Sequence, residues 1–97
     1  MPTYVVLMKL TEQGIKDMKN FPKRFAANKK GVEAMGGKMI DFYAVMGEYD
    51  YVAIAEMPSD EVCMSFALAL GALGNFRTTT LKAFTEKEFV KIVKKMP

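Results

Sequence analysis

A chain of 97 residues is the length of one domain, since domains commonly run about 50–200 residues. Its residues are 51% apolar and 26% charged, with a net charge of +3, which excludes the weakly hydrophobic, highly charged composition of a disordered chain. The absence of histidine excludes a Ser-His-Asp triad and any imidazole ligand to haem or metal, and the single cysteine, Cys63, excludes an intrachain disulfide, a Cys-x-x-Cys pair and a one-chain thiolate cage.

The elements follow in chain order. Thr3 to Leu10 (TYVVLMKL) is rich in β-branched and aromatic residues and reads as a strand. Thr11 caps a helical segment that opens with Glu12-Gln13, in which Ile15, Met18, Phe25, Val32 and Met35 recur at helical spacings. Pro22 lies inside it, so a kink or a junction of two helices is expected near Asn20-Phe21. After the Gly36-Gly37 breaker, Lys38 to Met46 and Asp50 to Met57 form two strands, the second stopped by Pro58. A helix starts at Ser59 with Asp60 and Glu61 in its first turn, where carboxylates suit the helix dipole, and ends near Gly74. Asn75 to Phe84 carries three consecutive threonines and reads as a strand, and the capping box Thr85-x-x-Glu88 opens a last helix bearing Phe89, Ile92 and Val93 on one face. The order is β-α-β-β-α-β plus a terminal helix, an α+β, ferredoxin-like antiparallel sheet with helices on one face and one domain over residues 1–97.

The strands do not alternate apolar and polar residues, as a sheet covered on one side should. Tyr4, Val6 and Met8 oppose Val5 and Leu7; Ile40, Phe42 and Ala44 oppose Met39, Tyr43 and Val45; Val52 and Ile54 oppose Tyr51, Ala53 and Ala55. Two helices cover one face only. A second copy of the chain, sheet against sheet, is the expected cover for the other, and a monomer with a bare apolar face is the alternative. The helix after Ser59 has little polar face, which fits burial against a further subunit or under the terminal helix.

Charge is unevenly placed. Residues 1–30 carry seven basic and two acidic groups (+5), residues 31–81 two and seven (−5), and residues 82–97 five and two (+3). Lys16, Lys19, Lys23 and Lys30 form a stripe that can meet phosphate, but only Arg24 and Arg77 are arginines, and no aromatic and basic residues interleave as base-stacking platforms do, which argues against nucleic acid. The opening residues lack the pattern of a secretory leader, and the longest apolar stretch, Val62 to Leu73, falls short of the ~20 residues of a membrane span. A soluble, cytoplasmic chain without membrane partners is expected.

The turn between the second and third strands reads Met46-Gly47-Glu48-Tyr49-Asp50-Tyr51. Gly47 supplies a positive φ for a tight hairpin, and Asp50 can accept backbone amides there. Gly47-x-Tyr49-Asp50 resembles the signature of the GYD domain family, and the resemblance runs along the chain through Lys9-Leu10-Thr11-Glu12-Gln13-Gly14, Pro22-Lys23-Arg24, Met35-Gly36-Gly37-Lys38, Phe66-Ala67-Leu68-Ala69-Leu70-Gly71 and Gly74-Asn75-x-Arg77-Thr78. It implies pairing through the sheets as a dimeric α/β barrel, and the hairpin is similar to one in the ligand-sensing domain of Lrp/AsnC-type regulators. It implies no reaction.

Three functions remain open. A small-molecule binding or sensing module would place its site on the sheet's inner face or by the hairpin at a subunit boundary, with Tyr43, Tyr51, Arg77, Thr78, Thr80 and Lys82 on the strands and Glu48, Tyr49 and Asp50 at the turn. A cofactor-free enzyme would rely on Asp, Glu, Lys or Tyr, with Asp50, Tyr49, Lys9 and Arg77 as candidates and the arginine gripping a carboxylate or else pairing with Asp41, Asp50 or Glu56. A structural oligomerisation module would use the apolar helix and the nine methionines. No cofactor is expected, and no metal, since Glu48, Asp50 and Glu56 lack the spacing of a ligand loop.

Overall fold

The structure, a computed structural model, describes all 97 residues. Strand β1 (Thr3–Leu10) leads into helix α1 (Glu12–Lys16), a 3-10 turn (Met18–Asn20) and helix α2 (Phe21–Ala34); β2 (Lys38–Ala44), β3 (Tyr51–Glu56), α3 (Asp60–Leu73), β4 (Phe76–Ala83) and α4 (Glu86–Lys94) follow. The four strands form one antiparallel sheet in the order β2-β3-β1-β4, the ferredoxin-like α+β arrangement. No helix is long and apolar enough to cross a membrane.

The helical break falls where Pro22 predicts it. Proline sits in the first turn of α2, where its missing N–H has no partner to lose, and the 3-10 turn absorbs the change of direction. This divides the lysine stripe, because Lys16 ends α1 and Lys19 lies in the 3-10 turn, and it leaves Ile15 exposed. Strand β2 ends at Ala44 rather than Met46. Val45 donates to the Asp50 carbonyl (2.9 Å) to close the hairpin, and Met46 beyond it is fully exposed.

The side of the sheet under α2 and α3 presents Tyr4, Val6 and Met8 from β1, Tyr51, Ala53 and Ala55 from β3, and Phe42 from β2. Simple alternation places Met39 on the opposite face from Phe42. A bulge between Met39 and Asp41 overturns that, bringing Met39 opposite Ala55 and Phe42 opposite Ala53 on the same face. Two buried clusters result, one around Tyr4, Val32, Met57 and Cys63 and one around Met8, Tyr51, Ala53 and Phe76.

Helix α4 stands clear of the body and covers neither α3 nor the outer face of the sheet, so the molecule measures 52 × 31 × 18 Å. Its capping box forms as read: the Thr85 amide donates to Glu88 Oε1 (2.8 Å) and the Glu88 amide to Thr85 Oγ1 (3.2 Å). Phe89, Ile92, Val93 and Met96 remain exposed along one stripe.

The start of α1 is latched to the turn between α3 and β4. Thr11 Oγ1 donates to the Gly74 carbonyl (2.6 Å), the Thr11 amide to the Asn75 carbonyl (3.0 Å), and Gln13 Nε2 to the Leu73 carbonyl (3.0 Å). Gly14 lies so close under this latch that a Cβ there collides with the Asn75 backbone carbonyl. Gly14→Ala is therefore expected to destabilise the fold by about 1–3 kcal/mol, the usual cost of forced overpacking, and a urea unfolding midpoint equal to that of the parent chain refutes the latch as a structural constraint.

Candidate functional site

The β1–β4 register sets Tyr4 opposite Lys82, and the Ser59 cap starts α3 directly over them. Asp60, at the first position of that helix, receives both. The Tyr4 hydroxyl donates to Oδ1 at 2.5 Å and the Lys82 ammonium to Oδ2 at 3.0 Å. Beside them lies an open hollow of about 190 Å³, with Thr80, Cys63, Met64 and Ala67 completing its wall.

The surroundings shift the titration of Tyr4, Asp60 and Cys63. Burial, reinforced by the hydrogen bond to Asp60, pushes the Tyr4 phenol well above its ordinary value of 10.0. The same hydrogen bond and that from Lys82 hold the Asp60 carboxyl below its ordinary 3.8. Burial and then Asp60 raise the Cys63 thiol, so it is a poor nucleophile. General acid–base catalysis needs a group titrating near the working pH. Tyr4 and Asp60 are both driven away from that range, so this cluster suits recognition of a polar group better than proton transfer.

The hairpin distributes its residues differently. Gly47 takes φ +114°, the left-handed region expected of it. Asp50 does not cap the turn: its carboxylate accepts the Leu10 amide of β1 (2.8 Å), and its own amide donates to the Met8 carbonyl (2.9 Å). The Asp50 carboxylate is thereby committed to tying the hairpin to the central strand. Glu48 and Lys9 pair at 3.8 Å in solvent, and the Lys9 ammonium sits 5.4 Å from the centre of the Tyr49 ring. Arg77, opposite Lys9 in the register, makes no ion pair with Asp41, Asp50 or Glu56.

The nine residues singled out from the sequence therefore occupy separate places. Thr78, Thr80 and Lys82 lie on the helix side of β4, Tyr43 and Arg77 on the outer face, and Glu48 and Tyr49 at the hairpin tip, with Asp50 at its base. Tyr51 is buried among Phe21, Phe42 and Phe76, its hydroxyl 3.6 Å from Met18 Sδ and its phenol raised chiefly by burial. Only Thr80 and Lys82 of the nine line the hollow beside α3. Tyr4 and Asp60 escape a reading of the sequence because each has an adequate local explanation, a core-facing strand position and a first-turn carboxylate. Their partnership across 56 positions depends on the sheet order. No cluster of three or more His, Cys, Asp or Glu side chains is disposed to hold a metal ion.

Residues 4–93 match the GYD domain. A glutamine synthetase and cystathionine beta-lyase binding protein of Thermus thermophilus is 30% identical over 95 residues, spanning 97% of this chain and all of that protein. Among solved structures, MtbAldR superposes with a TM-score of 0.68 at 15% identity over 88% of this chain, which spans only 52% of MtbAldR. TTHA0845 from Thermus thermophilus superposes with a TM-score of 0.56 at 24% identity, covering 88% of this chain and 95% of that one. PHS023 from Pyrococcus horikoshii gives a TM-score of 0.56 at 20% identity, covering 89% and 93%. At these identities the structural likenesses establish the shared fold.

The depressed carboxyl of Asp60 has a defined pH signature. A carboxyl whose folded value lies below its unfolded value contributes stability that is complete above the unfolded value of 3.8 and is lost as the pH falls through the folded one. Asp60→Asn is expected to flatten the fall in unfolding midpoint between neutral pH and that acid window relative to the parent chain. Superimposable pH–stability curves for the two proteins would show that the Tyr4–Asp60–Lys82 network is not coupled to folding.

Proposed function

The chain belongs to the GYD domain family, and on that premise we propose that it is a homodimeric binding module that docks on metabolic enzymes and works beside them in the cytoplasm. The observation that carries this reading is the uncovered outer face of the sheet. Val5 and Leu7 of β1, Val52 and Ile54 of β3 and Leu81 of β4 form its centre, and no helix lies over them. Contiguous apolar surface of this kind on a small chain is usually an interface.

Polarity and charge favour a second copy as the cover for this face. Asp41 and Glu56 sit beside Lys38 at the β2–β3 corner, and Lys9 and Arg77 sit beside Glu48 at the diagonally opposite corner. A two-fold axis lying between two such faces and running along the other diagonal would set each net acidic corner on its partner's net basic corner, the self-complementarity an isologous dimer requires. Tyr43 and Arg77 then fall at the boundary between copies. That boundary is where we assign the small-molecule site of the sensing function, while Thr80 and Lys82 remain accessible beside α3.

Enzyme docking is assigned to the other layer. Met64 and Leu68, one turn apart on α3, and Leu73 at its end are exposed, and methionine-bearing helical surfaces adapt well to a partner. The support for a metabolic-enzyme partner is the name of the 30% identical Thermus relative, a binding protein for two such enzymes, which this chain matches over nearly its whole length.

Light scattering on the purified protein is expected to give twice the 10.9 kDa chain mass, and Val5→Lys to give a monomer that keeps its far-ultraviolet circular dichroism. In interferometry against purified glutamine synthetase and cystathionine beta-lyase of the same source organism, the parent chain is expected to bind at least one. Leu68→Asp, still dimeric, is expected to bind it tenfold or more weakly, roughly the loss seen at a central interface position. A monomeric parent chain overturns the sheet-to-sheet dimer. Failure to bind either enzyme overturns the docking role.

A further inference from the structure

Strand β4 is one edge of the sheet, and its outer side carries backbone groups that nothing in the chain pairs. The Thr11 amide donates to the Asn75 carbonyl (3.0 Å), which extends the β1–β4 ladder one step beyond Leu10 and Phe76. Hydrogen-bonded pairs alternate along an antiparallel ladder, so Arg77, Thr79, Leu81 and Ala83 bond to β1. The N–H and C=O groups of Thr78, Thr80 and Lys82 therefore point away from β1, into solvent. Natural edges are usually blunted by a bulge, a proline or a cover. Strand β2, the other edge, has its bulge between Met39 and Asp41, whereas β4 keeps regular register with β1 throughout and contains no proline.

The hollow beside α3 stands over this free edge. Its inner end is closed by Tyr4 and Cys63, both buried, and its mouth is formed by Met64, Thr80 and Lys82, all exposed. A strand added outside β4 would place the residue opposite Thr80 on the helix side, because directly opposed residues share a face. The side chain of that residue would meet the apolar wall of Met64 and Ala67. The residue opposite Lys82 would meet an ammonium with three donors and one partner, Asp60. Residues 76–97 carry six basic and two acidic groups (+4), and β4 itself has Arg77 and Lys82 without a carboxylate. A second β4 would bring like charge to this edge, whereas an acidic segment complements it.

We infer that the free edge of β4 takes an extended segment of a partner protein as a fifth strand, with an acidic residue opposite Lys82 and an aliphatic one opposite Thr80. The added strand runs antiparallel to β4, the more stable pairing per residue, and exchanges hydrogen bonds with Thr78, Thr80 and Lys82. Main-chain bonds supply the affinity in this mode, and the side chains that enter the hollow supply selectivity. Met64 belongs both to the hollow and to the α3 surface assigned to enzyme docking, so strand addition is the way that docking is made. It rests on the docking reading for the identity of the partner alone.

Backbone amide exchange and N-methylated peptides test it on the intact protein. Without peptide, the amides of Thr78, Thr80 and Lys82 are expected to exchange rapidly and those of Thr79 and Leu81 slowly. Titration with acetyl-Thr-Glu-Val-Leu-Val-Thr-amide is expected to shift and protect the first three saturably. N-methylation of its Leu, whose N–H meets the Thr80 carbonyl, is expected to weaken binding about tenfold or more. N-methylation of its second Val, whose N–H faces away, is expected to leave the affinity within about twofold. Slow exchange of the three amides without peptide means that a second copy already pairs with the edge, and it overturns the proposal. So does a peptide that leaves these amides unchanged, or a pair of N-methyl variants that bind alike. Whichever of glutamine synthetase and cystathionine beta-lyase the parent chain binds is expected to be displaced by the peptide. An enzyme that saturating peptide does not displace keeps the docking role and overturns strand addition as its mode. Where neither enzyme binds, docking fails and the peptide titrations still decide the edge.

Discussion

The governing constraint of this molecule is that its helices lie on one side of a sheet whose strands are apolar on both. Helices α2 and α3 bury Tyr4, Met8, Tyr51, Ala53 and Phe76, and no helix of the same chain lies over Val5, Leu7, Val52 or Ile54, which are half-buried by their neighbours in the sheet. A two-layer body of fewer than a hundred residues has little interior, and only 11 of its 97 residues are buried. The sparse core has two further effects. It separates into two clusters rather than closing as one, which leaves a gap beside Arg24, and it leaves large side chains on α3 and α4 without intramolecular partners.

Polar contacts, rather than further apolar packing, hold the connections to the central strand. Asp50 fastens the β2–β3 hairpin to Leu10 and Met8 at one end of β1, and Thr11 and Gln13 fasten the end of α3 just beyond it. Tyr4 reaches the first turn of α3 near the other end of the strand. All three link segments far apart in sequence, and each joins a loop or helix end to β1 or the residues that follow it. Asp50 and Tyr51 thus each have a structural role, in the hairpin and in the aromatic core, that accounts for their place in the sequence motif.

The fold was largely legible from the sequence because its signals are local. Pro22, the Ser59 and Thr85 caps, Gly47 and the threonine run of β4 each specify a turn, helix start or strand through their own backbone chemistry. The bulge near Ile40 was not legible, since no glycine or proline marks it and the need for it arises only when Met39 and Phe42 must both face the helices. The polar clusters were the least legible. Lys82 and Thr80 could be picked out as polar residues of one strand face, but Asp60 joins them only through the β1–β4 register, and Arg24 was indistinguishable from a solvated member of a basic segment. Lone charged residues acquire meaning from what is packed around them, which the sequence expresses only through the complete topology.

The methionines give the exposed surfaces a chemical vulnerability of their own. Met46 at the hairpin tip is fully exposed, and Met64 on α3 and Met96 at the end of α4 are largely so, whereas Met57 in the core is 2% exposed. Peroxide attacks accessible thioethers first and converts a flexible apolar side chain into a polar sulfoxide. Oxidation would therefore change these exposed positions before it reached the core, leaving a folded protein with an altered surface, and methionine sulfoxide reductases could restore it without refolding the chain.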